Sequence, residues 1–330
     1  MMIPGRLQSS AAAGNRTSYR WLTAALIRAA VVILCVMTAV FFLIRIVPGD
    51  PAKMILGEYS TPEAIAAMHH TLGLDLPLWE QFIRFVKLLF TSGDTGNSII
   101  SGTSTRVLIA ERAPVTMLLI LMACVIAVVI ALLLATVAAT NKDKLADHLI
   151  RIFPTITLGM PIFWVGILFI MLLSVRLGWF PVGGVGEGWS GMLYSLTLPA
   201  VTVAFSQIPT LVRSLRAQML EVLESDFVVT LRAARIPGRV ILFKHVLRNS
   251  ALPTLMLLGV NISYLIGGTL VVEQVFGIKG IGSLLFTSIS NRDFPVIQGI
   301  ALYCAVSVVI ISLLVEIAAK WLDPRTKGTR

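Results

Sequence analysis

The sequence predicts an all-α integral membrane protein with six transmembrane helices and a small helical insertion on the extracytoplasmic side. Of its 330 residues, 56% are hydrophobic and 13% are charged, whereas an average soluble domain is about 25% charged. Such a chain cannot cover its apolar surface with polar groups, so lipid must be its solvent. The net charge of +10 does not indicate a nucleic-acid partner, because the chain lacks the hydrophilic domain that would carry a basic patch.

Six apolar runs each approach the ~20 residues that a helix needs to cross a bilayer. The predicted spans are 22–46, 114–139, 152–175, 193–212, 251–273 and 296–319. The first run is longer than the apolar part of a signal peptide, so we expect it to remain as a helix. Prolines inside the third and fourth spans indicate that these helices face other protein, where neighbours can satisfy the freed carbonyls.

The distribution of Lys and Arg sets the orientation. Cations are abundant in the tails 1–21 and 320–330 and in the loops 140–151 and 213–250, and sparse in the loop 176–192 and the segment 274–295. Cytoplasmic loops carry the excess of Lys and Arg. Both termini are therefore predicted to be cytoplasmic, with the insertion 47–113, the loop 176–192 and the segment 274–295 outside.

The outer insertion, residues 47–113, carries turn and helix signals. "VPGDPA" is turn chemistry, and Thr61 followed by Pro62 predicts the start of a helix. The run 77–90 has one apolar face, which predicts a helix on the membrane surface or against the spans. His69 and His70 do not converge on one face, so a solvated helix end is expected there rather than a metal site.

The cytoplasmic loop 213–250 is patterned rather than merely basic. It holds seven cations between Arg213 and Arg248, too many to insert at ~2.5–3.5 kcal/mol each. Phe227 and Leu231 share one face of a first helix, Gly238 permits a corner after Pro237, and a second helix follows. A loop that only held anionic lipid would need scattered cations, so the apolar faces predict a protein partner.

The stretch "MLEVLESDFVVTLRAARIPGRVILFKHVLRNSALP" resembles the cytoplasmic coupling loop of ATP-binding-cassette importer permeases of the dipeptide/oligopeptide/nickel family. "VPGDPA", "LGLDLPLWEQF", "GDTGNSI", "MPIFWVGI" and "VVEQVFGIKGIGSLL" are similar to marks of the first of the two permease subunits. The resemblance runs from about Leu22 to Pro324 and implies the type I ABC importer permease fold. One position departs from the family, which places glycine where Arg235 stands, so we expect the corner to shift toward Gly238.

The resemblance implies a permease subunit in a bacterial inner membrane that imports di- or oligopeptides. Nickel chelates, glutathione and haem remain alternative substrates. The implied partners are a second permease, one or two ATPase subunits and an extracytoplasmic binding protein. The chain has no phosphate-binding loop, so ATP and Mg are expected in the ATPase subunits and no cofactor in this chain. The implied coupling residues are Glu221, Asp226, Phe227, Leu231, Arg232, Ala233, Arg235, Gly238, His245, Arg248 and Asn249.

An ion-coupled transporter or a membrane enzyme is the competing class. Ion-coupled carriers place Asp, Glu or His inside their spans, but here Glu273 and Glu316 lie at span ends and the four His residues lie outside the spans. We also find no nucleophile–base pair and no metal cluster. Both alternatives are therefore disfavoured.

Two further sets of residues are candidates for the translocation path and its outer gate. Gln207, Asn261, Ser263, Gly267 and Gly268 could line a wet path, although Asn261 and the glycines could equally serve close helix packing. The segment 274–295 is expected to fold back on the outer mouth. The candidate gate residues are Gly280, Gly282, Leu284, Phe286, Arg292 and Asp293.

Overall fold

The computed structural model describes residues 8–46, 49–57, 60–157 and 159–322, apart from the side chains of 8–22, 51, 54, 55, 251, 252, 255, 258, 260, 263 and 318–322. Helices account for nearly all of this part of the chain, and it contains a single isolated β-bridge. The helices are α1 (Gln8–Ile46), α2 (Pro51–Leu56), α3 (Pro62–Leu72), α4 (Leu78–Ser92), α5 (Thr105–Thr140), α6 (Leu145–Thr157), α7 (Ile162–Phe169), α8 (Gly188–Leu223), α9 (Asp226–Ala233), α10 (Gly238–Val240), α11 (Leu247–Val275), α12 (Ile281–Ser290) and α13 (Phe294–Leu322). Two π-helical segments, Ile170–Arg176 and Ile241–Val246, continue α7 and join α10 to α11.

Four helical stretches among the described residues are long and apolar enough to cross a membrane: Thr23–Ile46, Thr105–Thr140, Gly188–Leu223 and Phe294–Ile317. The bent pair Leu145–Thr157 and Ile162–Arg176 makes a fifth if it is one span. Helix α11 covers the predicted fifth span 251–273, and the count of six stays a prediction. Helix α1 reaches back into the predicted tail 1–21, and α5 begins inside the predicted insertion 47–113.

The predicted third span, 152–175, differs from a single helix. It is divided between α6 and α7, whose axes differ by 109°. Pro161 precedes α7 as its N-cap residue, because proline favours a helix start and disfavours helix in the residue before it. Pro154 lies inside α6 and does not break it. The break places the start of α7 beside α8 and α11.

The central core forms where α5, α8 and α11 pack together. On α5, Ala123, Ala127 and Ala131 recur every fourth residue and are fully or almost fully buried. Small residues on one helix face let two backbones approach closely, which drives packing in lipid. On the opposite face Leu121 and Leu133 are 60% and 62% exposed. Large apolar residues outside and small ones inside fit a helix that borders lipid.

The segment 274–295 packs onto α5, α11 and α13, and much of it is buried. Ile278 and Ile281 are fully buried. The Glu273 carboxylate, at the end of α11, accepts hydrogen bonds from the Thr116 hydroxyl (2.5 Å) and the Gly282 amide (2.6 Å). A carboxylate at a helix N-terminus is favoured by the free amides and the helix dipole. Glu273 therefore holds α12 against α5 and α11.

The insertion is attached to the bundle at two places. Ser98 donates to the Asp293 carboxylate (2.5 Å), which also accepts from the amide of Ile99 (3.1 Å). Helix α4 packs Phe85 against Phe41 of α1, with ring centroids 5.6 Å apart. These contacts place the predicted amphipathic helix against the first span rather than apart from it.

Within the insertion, Asp50 joins two helices. Its carboxylate caps α2 by accepting from the Ala52 amide (3.0 Å) and lies 2.8 Å from Nε2 of His69 on α3. Burial acts to raise the pKa of Asp50, but the hydrogen bonds from His69 and Ala52 and the electrostatic interactions with His69 and Lys53 hold the pKa below its ordinary value. His69 therefore has a structural partner.

Candidate functional site

The loop that is predicted to be cytoplasmic forms a corner of two helices, α9 and α10, between α8 and α11. Ser225 is the N-cap residue of α9, and its hydroxyl donates to the Val222 carbonyl rather than capping the helix. Asp226 is the first residue of the helix, and its side chain makes no capping hydrogen bond among the described residues. Its negative charge still lies in the first turn, where the helix dipole favours it.

The chain turns at Arg235, whose φ is 57°. The Arg235 amide donates to the Arg232 carbonyl (2.9 Å), and the Ile236 amide donates to the Leu231 carbonyl (3.2 Å). This pair of bonds is the Schellman motif, which normally has glycine at the left-handed position. The predicted shift of the corner toward Gly238 is wrong: Gly238 begins α10, and it is not among the residues with positive φ. Arg235 holds the family's glycine position at a cost of roughly 1–2 kcal/mol.

Helix α9 and the π-helical segment after α10 expose apolar side chains. Phe227 is 43% exposed and Phe243 is 64% exposed. Val229 and Val240 are also exposed, but Val229 lies two residues after Phe227 and therefore on a different side of α9. Leu231 is not among these exposed side chains, contrary to the expectation from helical periodicity: it packs with the chain's own cytoplasmic cluster.

That inner cluster makes the corner part of the bundle. Val228 of α9 and Val246 before α11 are fully buried in it, beside Met219 of α8 and Ala135 of α5. A force applied to the exposed face must therefore reach the long helices through close-packed side chains, which interiors transmit because they are dense.

The other predicted coupling residues surround the apolar face. Those that are exposed are Glu221, Asp226, Arg232, Ala233, Arg235, Gly238, Arg248 and Asn249. His245 is half-buried. The structure brings all the predicted coupling residues to one end of the bundle.

Two ion pairs that sequence reasoning missed tie the neighbouring loop to α8. Asp147 of α6 is fully buried and receives two bonds of 2.6 Å from Arg216, through Nε and Nη2. Lys142 and Glu224 form an exposed pair at 2.5 Å, and this hydrogen bond raises the pKa of Lys142 and lowers that of Glu224. The two residues of each pair lie far apart in the sequence, so the sequence shows that the charges are present but not which of them pair.

The path candidates are only partly brought together. Thr157, Met160, Ile162, Val165, Thr202, Phe205 and Ser206 line a cleft of about 80 Å³ where α6, α7 and α8 meet. Gln207 and Gly268 do not line the cleft, but each is next to a residue that does: Gln207 donates to Ser206 (3.3 Å), and a Cβ on Gly268 would lie 3.6 Å from Ile162. Gly267 is exposed, and Asn261 has a buried Nδ2 without a hydrogen-bond partner among the described residues. The side chain of Ser263 lies outside the described residues.

The gate candidates cluster around α12. A Cβ on Gly280 would lie 2.4 Å from the Glu273 carboxylate, and one on Gly282 would lie 2.5 Å from the Leu270 backbone. Both glycines therefore permit close approach of α12 to α11. Leu284 is half-buried and Phe286 is 41% exposed. Arg292 has φ 51°, and the buried Asp293 anchors the return to α13.

Comparisons with known proteins agree with this architecture. Residues 131–328 match the family described as binding-protein-dependent transport system inner membrane component, and residues 18–119 match its N-terminal family. A protein of Brucella abortus named as a peptide transport system permease is 37% identical over 299 residues, covering 90% of this chain and 95% of the relative. The oligopeptide transport system permease protein AppB of Bacillus subtilis is 34% identical over 291 residues, covering 86% of this chain and 92% of the relative.

The fold has a solved counterpart. A chain of the MetNI methionine ABC transporter in an inward-facing conformation matches with a TM-score of 0.56 and 14% identity, covering 66% of this chain and 96% of that chain. At this identity the match concerns the fold alone, which is that of a type I ABC importer permease. The chain belongs to the family of inner membrane components of binding-protein-dependent transport systems and is a multi-pass permease subunit of an ABC importer.

Proposed function

We propose that this chain is the peptide-conducting permease of a bacterial importer in which a separate ATPase drives transport. The observation that carries the proposal is the exposed apolar face of the cytoplasmic corner, with Phe227 at 43% and Phe243 at 64% exposure, mounted on the buried cluster that joins α5, α8 and α11. An exposed apolar patch of this kind is typical of a protein interface. The glutamate, arginines and other polar residues around it would fix the register of docking.

We infer the other subunits of the complex from the family match and from the sequence of this chain. Half of a translocation path needs a second homologous permease, and binding-protein-dependent transport needs an extracytoplasmic binding protein. One or two ATPase subunits would supply ATP and Mg, since the sequence has no phosphate-binding loop of its own. We place both termini in the cytoplasm of a bacterial inner membrane, as the distribution of Lys and Arg predicts.

Di- or oligopeptides are the proposed substrates, because the relatives are named for peptide, oligopeptide and dipeptide transport. The cleft beside Gln207 and Gly268 would border the path, and α12 would close its outer end through Leu284 and Phe286. Nickel chelates, glutathione and haem are the alternatives. Uptake of a labelled dipeptide should be inhibited by unlabelled di- and oligopeptides and not by these three competitors; inhibition by one of them alone would reassign the substrate.

The coupling role is tested by Phe227→Ala in proteoliposomes that contain the co-expressed complex. Truncating a buried aromatic anchor can cost about 2 kcal/mol of binding, which corresponds to roughly thirtyfold weaker association with the ATPase. The matched control is Phe90→Ala, which removes an 81% exposed phenylalanine from the outer helix α4. Wild-type ATPase recovery and ATP-driven uptake with Phe227→Ala would refute the proposed coupling face.

A further inference from the structure

Arg235 occupies a backbone position that disfavours any residue except glycine. Its φ of 57° lies in the left-handed region, and two hydrogen bonds of the Schellman motif hold it there. A side chain at this position adds strain that glycine avoids. Strained residues persist where the surroundings or the function require them, and they concentrate at functional sites.

Nothing within the described part of the chain explains the arginine. Arg235 is exposed and forms none of the four ion pairs found there, nor any hydrogen bond through its guanidinium. Arg232 and Arg239 are also exposed on the same corner. Arg232, Arg235 and Arg239 are three exposed cations within eight residues of the chain. A negatively charged group of another molecule would be attracted to them.

The place of Arg235 beside the proposed docking surface favours a protein as the source of that group. Arg235 follows closely after α9, whose second residue is Phe227. At about 1.5 Å per residue the two positions are roughly 12 Å apart along the helix. A protein that covers Phe227 would therefore reach Arg235 as well.

We propose that the Arg235 guanidinium binds a carboxylate of the ATPase subunit, at the rim of the surface that receives Phe227. This inference rests on the proposed coupling function and adds the chemistry of the contact. A guanidinium can bind a carboxylate through two parallel hydrogen bonds, a geometry that lysine cannot reproduce. The contact would let the permease distinguish its own ATPase from ATPases with a neutral or basic rim.

Backbone strain and partner charge predict opposite outcomes for Arg235→Gly. Relief of strain alone would leave ATPase binding unchanged or strengthen it and would raise the thermal midpoint of the permease. Loss of a guanidinium–carboxylate contact should weaken ATPase binding about tenfold, with a smaller dependence on salt, while the permease itself becomes no less stable. Arg235→Lys keeps the charge and should fall between the two.

The experiment titrates the purified ATPase onto the permease complex in nanodiscs at two salt concentrations. The control is Asp143→Gly, because Asp143 also has a positive φ, 61°, and this change relieves backbone strain without removing a guanidinium. Unchanged or tighter ATPase binding with Arg235→Gly, while Phe227→Ala still weakens it, overturns this inference and leaves the coupling proposal standing. If neither change alters binding, the coupling proposal itself fails. A loss that appears only in nanodiscs containing anionic lipid overturns the inference in favour of a lipid contact.

Discussion

Breaking the buried ion pair between Asp147 and Arg216 should destabilise the permease strongly. The Asp147 carboxylate has no exposed surface and receives two bonds of 2.6 Å from Arg216, whose side chain is 18% exposed. Arg216→Met would leave a buried carboxylate without its partner. Such losses cost about 3–5 kcal/mol, and the partial exposure of Arg216 places the expected cost at the lower end, about 3 kcal/mol.

The assay is the thermal unfolding midpoint of the purified permease in one detergent. At roughly 2 °C per kcal/mol for a larger protein, Arg216→Met should lower the midpoint by about 6 °C. The double variant Asp147→Leu/Arg216→Met removes both charges and should recover most of the loss, because replacing a buried pair by apolar residues is often neutral. Lys142→Met is the control, since it breaks an ion pair whose side chains are 50% and 64% exposed and exposed pairs contribute little.

Two outcomes would refute this reasoning. Arg216→Met could lower the midpoint no more than Lys142→Met does, which would mean that water or another cation compensates the carboxylate. Alternatively, the double variant could be as unstable as the single one, which would mean that packing around Arg216, and not the charge pair, stabilises the joint between α6 and α8.

Two further predictions concern the outer side. Gly282→Ala should destabilise the permease by about 1–3 kcal/mol, because the added methyl group would lie 2.5 Å from the Leu270 backbone. Gly267→Ala is the control and should not destabilise it, because nothing lies within 4 Å of a Cβ at that position. Equal thermal unfolding midpoints for the two variants would contradict the close contact at Gly282. The depressed pKa of Asp50 implies stability that is present above its unfolded pKa of about 3.9 and is lost as pH falls through the lower folded value. Between pH 7 and pH 3 the wild type should therefore lose more stability than Asp50→Asn, and equal losses would argue against the contact with His69.

The sequence predicted what depends on composition and local pattern. The apolar runs, the basic loops and the two-helix corner can be recognised in the sequence, because a bilayer constrains the length and charge of each segment separately. Whether a given proline breaks its helix cannot be predicted in this way. Pro161 lies at the 109° break between α6 and α7, whereas Pro199 and Pro209 lie inside an unbroken α8. The difference depends on whether neighbouring helices can satisfy the freed carbonyls, and that information lies in the tertiary packing.

The candidate site was likewise predicted only in part from the sequence. The exposure of Phe227 was predicted, but periodicity also assigned Leu231 to the same outer face, and the structure turns it inward beside Ile236. In a helix of eight residues a few degrees of rotation decide which side chains reach the bundle, and the Schellman contact settles that rotation here. Asp147 and Arg216 come together only in the folded bundle, so no local sequence pattern predicts this ion pair.

Helix α11 provides a physical route between the two ends of the molecule. It is continuous with α10 through a π-helical segment, so one helical rod of roughly 55 Å at about 1.5 Å per residue runs from Gly238 to Val275. Its cytoplasmic end is buried in the same cluster as α9, through Val246, and at its outer end Glu273 accepts bonds from α5 and α12. Both ends are therefore held by packing or by hydrogen bonds. A displacement of the corner that this rod transmits without bending at the π-helical segment or at Pro253 would move α12 relative to α5 or break the bond between Thr116 and Glu273.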